Sequence, residues 1–407
     1  MISDYRLVAK SWQTPFVVLL GGCLISLVGF GARSSYGLYL GPMTLDLNWT
    51  RETFALAMAL QNLFWGICLP LAGILVDRYG PLWVVIGGAL IYALGTFGMT
   101  WVESSGSLYL AGGILVGTGV AFTSFSLVTA AMVRVVGVQR RSLVMGLCTA
   151  AGSLGQVLYS PITQGMISNH GWSSALVVTA VSVCLIIPLA FMLPNDPRVR
   201  DENVVHTGSI GAMREAFAHR GFLLLTAGFF VCGFHVAFIT VHLPVYVSDL
   251  GLGSMVGAIA ISLIGIFNIV GSLLSGAFGQ RFSKKCGLSG IYAARAVTLL
   301  VFLVAPKSEL TIYIFAATMG LLWLSTVPLT AGIIAQVFGI RYMATLYGFV
   351  FLSHQIGSFI GVWMGGYIYD LTGSYDLMWQ AGIILGLGAA FIHLPINEQP
   401  VPRLQAE

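Results

Sequence analysis

Six ionisable side chains lie inside long apolar stretches of this sequence, and these residues could do chemistry. They are Arg33, Arg295, His235, His242, His354 and His393. The fifteen Asp and Glu residues, in contrast, all fall in predicted loops, helix ends or tails. A charge surrounded by hydrocarbon costs several kcal/mol and normally faces a cavity or a partner. Because no buried carboxylate is predicted, an anionic substrate is the natural partner of the two arginines, whereas a cationic compound would need a buried acid.

Arg33 is the first candidate for binding such an anion. It belongs to a stripe of small and polar residues at helical spacing, a pattern that faces protein or water rather than lipid. The stripe consists of Gly22, Ser26, Gly29, Arg33 and Tyr36. A guanidinium binds a carboxylate through two parallel hydrogen bonds, which suits a small organic acid. The alternative interpretation is an interfacial arginine that extends outward to water.

His354 is the second candidate, and Gln355 beside it is a further polar one. One helical face there contains Tyr347, Phe351, His354, Ser358, Gly361 and Gly365. Imidazole titrates near neutral pH, so His354 could couple a proton to an anion. A structural histidine that is hydrogen-bonded between helices is the alternative.

The other cations have weaker claims. His235 and His242 are two helical turns apart, so they could line a cavity or a proton route but could not hold one metal ion together. Arg295 lies six residues past Ser289, near the predicted inner end of its helix, which favours a gate or interface role. His393 is expected at the membrane interface.

Neutral polar residues and cysteines complete the survey. Gln156 and Asn268 could line a substrate path, although such residues more commonly bond between helices. The six cysteines are scattered without a CxxC pair, which predicts neither a metal site nor a disulfide framework. We expect no cofactor.

Composition identifies the elements that must position these residues. Of 407 residues, 57% are hydrophobic and 8% are charged, whereas soluble domains contain about 25% charged residues. This excludes a soluble globular enzyme, a disordered protein and a nucleic-acid binder. Because a membrane span needs roughly 20 apolar residues and must be helical, the sequence predicts twelve transmembrane helices, called spans 1 to 12. They lie at about 15–40, 51–76, 82–101, 107–133, 141–167, 172–193, 221–247, 254–278, 289–305, 310–336, 341–368 and 377–396.

Charge divides the chain and orients it. The one sizeable hydrophilic stretch predicts an N-terminal bundle of six helices at 1–193, a cytoplasmic linker at 194–220 and a C-terminal bundle at 221–407. With the N-terminus inside, fifteen Lys and Arg residues fall in inner segments, while Arg51 and Lys307 alone fall in outer loops. By the positive-inside rule, both termini are expected in the cytoplasm.

The halves also look like repeats. Gly73 recurs as Gly276, an offset of 203, and the glycines Gly137, Gly146 and Gly155 recur as Gly339, Gly348 and Gly357, an offset of 202. Gly29 is predicted to match Gly233, an offset of 204. Two six-helix repeats with a site between them at mid-membrane are the architecture of a secondary transporter.

Two motifs carry a family resemblance. The loop after span 2 reads Gly73-Ile-Leu-Val-Asp77-Arg78-Tyr-Gly-Pro and resembles the cytoplasmic signature of the major facilitator superfamily. Its weaker second copy has Gln280 in place of the acid, followed by Arg281. The resemblance implies a cytoplasmic gate formed by Gly73, Asp77, Arg78 and Arg281, with Arg295 nearby.

Span 5 narrows the resemblance to one branch. The run Arg140-Arg141-Ser-Leu-Val-Met-Gly146, followed by Ala151-Gly-Ser-Leu-Gly-Gln156, is similar to the monocarboxylate-porter and oxalate/formate-antiporter branch. In the oxalate/formate antiporter a substrate-binding lysine lies in span 11, where His354 aligns, and a partner arginine in span 8 falls at Ser272. The smaller fixed positive charge implies a monocarboxylate.

We therefore expect an all-α carrier of the major facilitator fold that moves a small organic anion by alternating access, with proton symport through His354 or His235. It is expected to act as a monomer in a bacterial inner membrane, without nucleic acid. An anion exchanger and an exporter of neutral or amphiphilic compounds remain open. A transporter-like sensor would need a signalling domain, for which the tails are short, and a membrane enzyme would need buried acids.

Overall fold

The computed structural model describes residues 12–136, 141–195, 207–339 and 342–402, and regular structure in these ranges is entirely helical. Apolar helices form the spans at the predicted places because each must satisfy its own backbone within lipid. Spans 1 to 3 contain the helices Pro15–Ser34, Arg51–Tyr79 and Pro81–Gly98. Span 4 contains Val116–Phe122 with Phe125–Val136, and the helix Arg141–Cys184 contains span 5 and most of span 6. Spans 7 to 12 contain Arg220–Asp249, Ser254–Arg281, Lys284–Val304, Glu309–Leu322 with Thr326–Phe338, Met343–Thr372 and Asp376–His393.

Spans 5 and 6 run together as one apolar segment. The segment Leu143–Ala190 has 48 residues, which is about twice what a bilayer requires. Gly171 interrupts it with φ of +80° and ψ of +163°, a conformation that is readily open to glycine alone. The eleven continuous apolar helices of the described residues therefore contain twelve spans, and the predicted all-helical architecture is confirmed.

Two faces of the bundle can be distinguished. The terminal face carries both chain ends: the Gln13 side chain donates to the carbonyl of Leu193, and the Val401 amide donates to the carbonyl of Val337. The distal face carries the opposite helix ends, including Arg51. Part of the predicted linker, one repeat glycine and seven of the fifteen predicted inner cations lie outside the described residues. They are the segment 196–206, Gly137, and Arg6, Lys10, Arg140, Arg198, Arg200, Arg341 and Arg403.

The repeat is visible where helices cross. In the N-terminal half, a Cβ on Gly31 would overlap the backbone of Gly155; in the C-terminal half, one on Gly357 would overlap the backbone at Phe230, next to Gly233 on the helix. The predicted partners Gly155 and Gly357 thus occupy equivalent crossings. The predicted match of Gly29 with Gly233 stays a prediction, because a Cβ on Gly29 would meet Ile186 and Thr123 rather than span 5.

Spans 5 and 8 join the two halves from the distal face inward. The Gln164 side chain donates to the Ser254 hydroxyl (3.0 Å) at the distal end. Near the middle of span 8, the Asn268 amide donates to the Ser153 hydroxyl (2.9 Å). These bonds hold the distal part of the interface closed.

Four glycines of the predicted repeat have open space beside them. A Cβ added at Gly73, Gly146, Gly276 or Gly348 would meet no atom within 4 Å. These four glycines are two of the predicted repeat pairs, on spans 2, 5, 8 and 11. Spans 5 and 8, which the distal hydrogen bonds join, therefore have open space beside Gly146 and Gly276.

Candidate functional site

Arg33 lies where spans 1, 2 and 7 meet, and its charge is held by neutral groups. Its Nη2 donates to Asn62 Oδ1 (2.5 Å), and its guanidinium carbon lies 4.5 Å from the centroid of the Trp65 ring. The side chain is half-buried, and its Nε has no hydrogen-bond partner. Within the part of the chain that the structure describes, no carboxylate forms an ion pair with it. Arg33 is thus a cation with donor capacity to spare.

A small cavity beside Arg33 spans the two halves. The N-terminal half contributes Arg33, Tyr36, Gly37, Met58, Gln61 and Asn62, and span 7 contributes Ala237, Thr240 and Val241. The cavity is closed tightly at Gly37, where a Cβ would overlap the Thr240 carbonyl. Its size is about that of one water molecule, so a larger substrate needs the halves to separate here.

An aromatic pair connects Arg33 to His354 in the other half. Trp65 packs edge-on against Phe351, with 5.3 Å between ring centroids. Phe351 in turn stacks on His354, with 5.8 Å between centroids and 7° between planes. The two candidates of the sequence analysis therefore lie on opposite sides of one Trp–Phe contact between the halves.

His354 is 8% exposed and lies within hydrogen-bonding reach of the Cys232 thiol. Its Nδ1 lies 3.3 Å from Gln355 Oε1 and 3.5 Å from the Ser358 hydroxyl, both long distances for hydrogen bonds. Gln355 is fully buried, packs its Cβ against Gly66, and leaves its Nε2 without a partner. Nδ1 of His354 thus has only long contacts, both to side chains of its own helix.

The remaining predicted ligands are bonded to protein groups. The Tyr36 hydroxyl lies 2.5 Å from Thr96 Oγ1. Gln156 donates across the interface to the carbonyl of Ile261 (2.8 Å). Asn268 uses both ends of its amide, since it donates to Ser153 and accepts from the Leu324 amide.

The three other histidines also bond to the protein. His235 Nε2 is 2.8 Å from the Gly382 carbonyl, although its Nδ1 has no partner. His242 bonds to the Val362 carbonyl and the Tyr375 hydroxyl. His393, expected at the interface, is 1% exposed and stacks on Tyr292 instead.

Arg295 is not near a helix end. The helix Lys284–Val304 begins before the predicted start, so Arg295 is the twelfth of its 21 residues, and it is fully buried. Its Nε and Nη2 donate to the Leu322 carbonyl (3.2 and 2.7 Å), and Nη2 also donates to the Trp323 carbonyl. These carbonyls are freed by the break in span 10, so the position of Arg295 favours helix capping over gating.

The predicted gate residues lie toward the terminal face. Asp77, Arg78 and Arg281 are exposed there. The Arg78 guanidinium lies 5.2 Å from the ring centroid of neighbouring Tyr79. Gly73 has open space beside its Cα.

A network on the distal face was not predicted. Arg51 pairs with Asp249 through two hydrogen bonds (2.6 and 2.7 Å), and its guanidinium lies 3.6 Å from the Tyr369 ring centroid. The Tyr375 hydroxyl accepts from Arg51 Nη1 (3.1 Å); burial raises the pKa of Tyr375, so its hydroxyl stays neutral. Asp370 accepts from the backbone amides of Arg51 and Glu52 (3.1 and 2.7 Å). This network joins spans 2, 7 and 11.

A signal for the network exists in the sequence. Arg51 is one of only two cations in the predicted outer loops, and Asp249 and Asp370 follow the apolar parts of spans 7 and 11. Their pairing still depends on a fold that brings residues 198 and 319 positions apart together.

The chain is similar to transporters over nearly its whole length. A family model described as Major Facilitator Superfamily matches residues 19–362. Monocarboxylate transporter 13 of Rattus norvegicus is 26% identical over 385 residues, covering 93% of this chain and 88% of that protein. The oxalate:formate antiporter of Oxalobacter formigenes is 24% identical over 408 residues, covering 98% and 93%. The crystal structure of a D-xylose-proton symporter aligns with a TM-score of 0.76 at 12% identity, covering 97% of this chain and all of that one.

Proposed function

Because this chain belongs to the major facilitator superfamily and is a multi-pass membrane transporter, we propose that its substrate is a small organic anion, namely a monocarboxylate. The observation that carries the proposal is Arg33, a half-buried guanidinium with a neutral amide partner and an unused Nε. A carboxylate arriving there supplies the missing counter-charge and accepts parallel hydrogen bonds.

One carboxylate matches the charge that is available. Arg295, the other intramembrane arginine, does not line the cavity beside Arg33, and its Nε and Nη2 donate to the Leu322 and Trp323 carbonyls. Ser272, which aligns with the arginine of the oxalate/formate antiporter, is neutral and bonds to the Asn268 carbonyl. A dicarboxylate would therefore bring one negative charge without a fixed partner. The similarity to a monocarboxylate transporter supports the same choice.

Transport follows an alternating-access cycle in which the halves rock about the site. In one state, contacts among Arg51, Asp249 and Asp370 close the distal face, and the carrier is open toward the terminal face. In the other state, the gate formed by Gly73, Asp77, Arg78 and Arg281 closes the terminal face. The excess of Lys and Arg in the predicted inner loops supports a cytoplasmic terminal face, and we propose a bacterial inner membrane as the location of the carrier. The unit of transport is the monomer, with halves at 1–193 and 221–407 and the linker at 194–220 between them.

His354 is the group that couples a proton to the anion. It stacks on Phe351, which contacts Trp65 above Arg33, and its Nδ1 has only long contacts. Protonated His354 adds a second positive charge when the anion is bound, and the proton leaves with the substrate. His235, fully surrounded and bonded to Gly382, is the second choice.

A binding screen tests the anion. The purified wild-type protein is heated with monocarboxylates, dicarboxylates, matched neutral amides and matched amines. A monocarboxylate should raise the melting temperature in a concentration-dependent way, because a ligand of the native state stabilises it by mass action. A shift with neutral or amphiphilic compounds alone would instead favour an exporter, and a shift with amines would overturn the proposal.

A transport assay tests the proton. In proteoliposomes, an inward proton gradient should drive uptake of the selected monocarboxylate by wild type and acidify the lumen. His354→Gln should abolish the acidification, while His242→Gln serves as the control for loss of a histidine. Uptake that requires anion inside the vesicle and ignores the pH gradient would identify an exchanger.

A further inference from the structure

Asn62 holds Arg33 in a fixed orientation through a hydrogen bond to each end of its amide. Its Nδ2 donates to the Met58 carbonyl (2.8 Å), one turn back in span 2, and its Oδ1 accepts from Arg33 Nη2. Asn62 is 2% exposed. Because the carbonyl of Met58 can only accept, the oxygen of the amide must face the guanidinium.

Span 2 contacts the guanidinium on both its edge and its face. Asn62 and Trp65 are three residues apart and share a helix face, and the Trp65 ring lies 4.5 Å from the guanidinium carbon. One edge and one face of Arg33 are thus occupied by span 2. Its Nε remains without a partner, and the small cavity lies beside the side chain.

The neutrality of Asn62 determines what else can bind. An aspartate has the same shape, and at this distance it would form a closed ion pair with Arg33 and cancel its charge. An amide orients the arginine without cancelling it. Since a buried arginine without a counter-ion is costly, the site retains a demand for an anion that only the substrate can meet.

Resting on the proposed anion transport, we propose that Asn62 is a positioning residue that sets the charge specificity of the carrier. It acts through Arg33 and does not itself bind the substrate. Its amide keeps the guanidinium aligned and positively charged, so that the site selects anions over neutral compounds of the same shape.

The test compares Asn62→Asp with Asn169→Asp, a matched control. Asn169 makes the same bond to the carbonyl four residues back, that of Gly165 (2.8 Å), but is exposed and faces no arginine. Asn62→Asp loses the bond to the Met58 carbonyl, as Asn169→Asp loses its bond to the Gly165 carbonyl. Only Asn62→Asp should lose about tenfold to a hundredfold in affinity for the monocarboxylate, the scale of a hydrogen bond to a charged group. Asn169→Asp should bind like wild type.

Further variants keep the test decisive. Asn62→Ala leaves the charge of Arg33 in place but frees its orientation, so its loss in affinity should be smaller than that of Asn62→Asp. The role of charge would be overturned if Asn62→Asp bound the anion as well as wild type. It would also be overturned if Asn62→Asp and Asn62→Ala lost the same factor in affinity. If wild type itself binds no carboxylate, the proposed function fails instead. Should Asn62→Asp not fold, Asn62→Glu supplies the same charge for the comparison with Asn62→Gln.

Discussion

Arg33 and Arg295 are two arginines in the apolar interior, one in each half, and the structure uses them in opposite ways. Arg295 is fully buried; its Nε and Nη2 donate to the carbonyls of Leu322 and Trp323, while its Nη1 has no partner. Arg33 is half-buried, and its one hydrogen bond goes to an amide. Each arginine has one buried donor without a partner, but Arg33 lines the cavity between the halves and Arg295 does not. The difference teaches that an intramembrane charge indicates a binding site when it faces a cavity that a substrate can enter.

The largest effect is expected for Arg295→Ala. Removing the guanidinium leaves the carbonyls at the break in span 10 unsatisfied, which costs about 3 kcal/mol or more. We expect a large fall in melting temperature and in the yield of monodisperse protein, measured by size-exclusion chromatography and thermal unfolding.

Arg214→Ala, at an exposed position outside the spans, is the control for loss of an arginine and should melt like wild type. A stable Arg295→Ala protein that has lost only anion binding would reverse the assigned roles of the two arginines.

Arg33→Ala should show the converse pattern. Without ligand its melting temperature should stay near that of wild type, because no ion pair is lost. Its affinity for the monocarboxylate should fall about a hundredfold, the value of a bond to a charged group. Arg33→Lys should lie between, since an ammonium keeps the charge but not the paired hydrogen bonds. Unchanged anion binding by Arg33→Ala would refute its role.

Arg51 provides a third case, an arginine with a carboxylate. Its side chain is 15% exposed and that of Asp249 is 30% exposed, so the pair should contribute only about 1 kcal/mol. A double-mutant cycle of Arg51→Gln and Asp249→Asn, read out by thermal unfolding, should give a coupling energy of that size. A coupling energy indistinguishable from zero would mean that the pair does not hold the distal face closed.

The smallest effect is expected for the ring under Arg33. Trp65→Leu removes a cation–π contact of about 0.5–1 kcal/mol and should weaken anion binding a few-fold, measured by the same thermal titration. Trp65→Phe keeps an aromatic face and should retain most of the affinity. Equal losses in both variants would show that the size of the indole, rather than its ring, is what matters.

Hydropathy was sufficient to predict the helices, because a span must be long and apolar wherever it lies in the sequence. The break in span 10 was not predicted, although Pro328, in the first turn of the helix that follows it, is a signal for a helix start. Without that break, the sequence gives no reason to place carbonyl partners around Arg295. Arg295 was predicted as a gate residue because span 9 was predicted to start at residue 289, whereas the helix begins at Lys284.

Polar residues showed a similar limit. The sequence identified Arg33 and His354, because ionisable groups are rare in spans. It could not separate them from Asn268, Gln156 or His235, whose partners lie on distant helices. Glycine spacing predicted the crossings at Gly155 and Gly357, where a Cβ would overlap the backbone of Leu27 and Phe230.

The cap on span 2 has a consequence for observing the protein at work. Asp370, from the C-terminal half, accepts hydrogen bonds from the first amides of a helix in the N-terminal half, and such amides have no partner within their own helix. When the halves part at the distal face, these two amides are released to water. Their hydrogen–deuterium exchange would then report the fraction of molecules open at that face, without any added label, while the amides deeper in span 2 provide an internal reference.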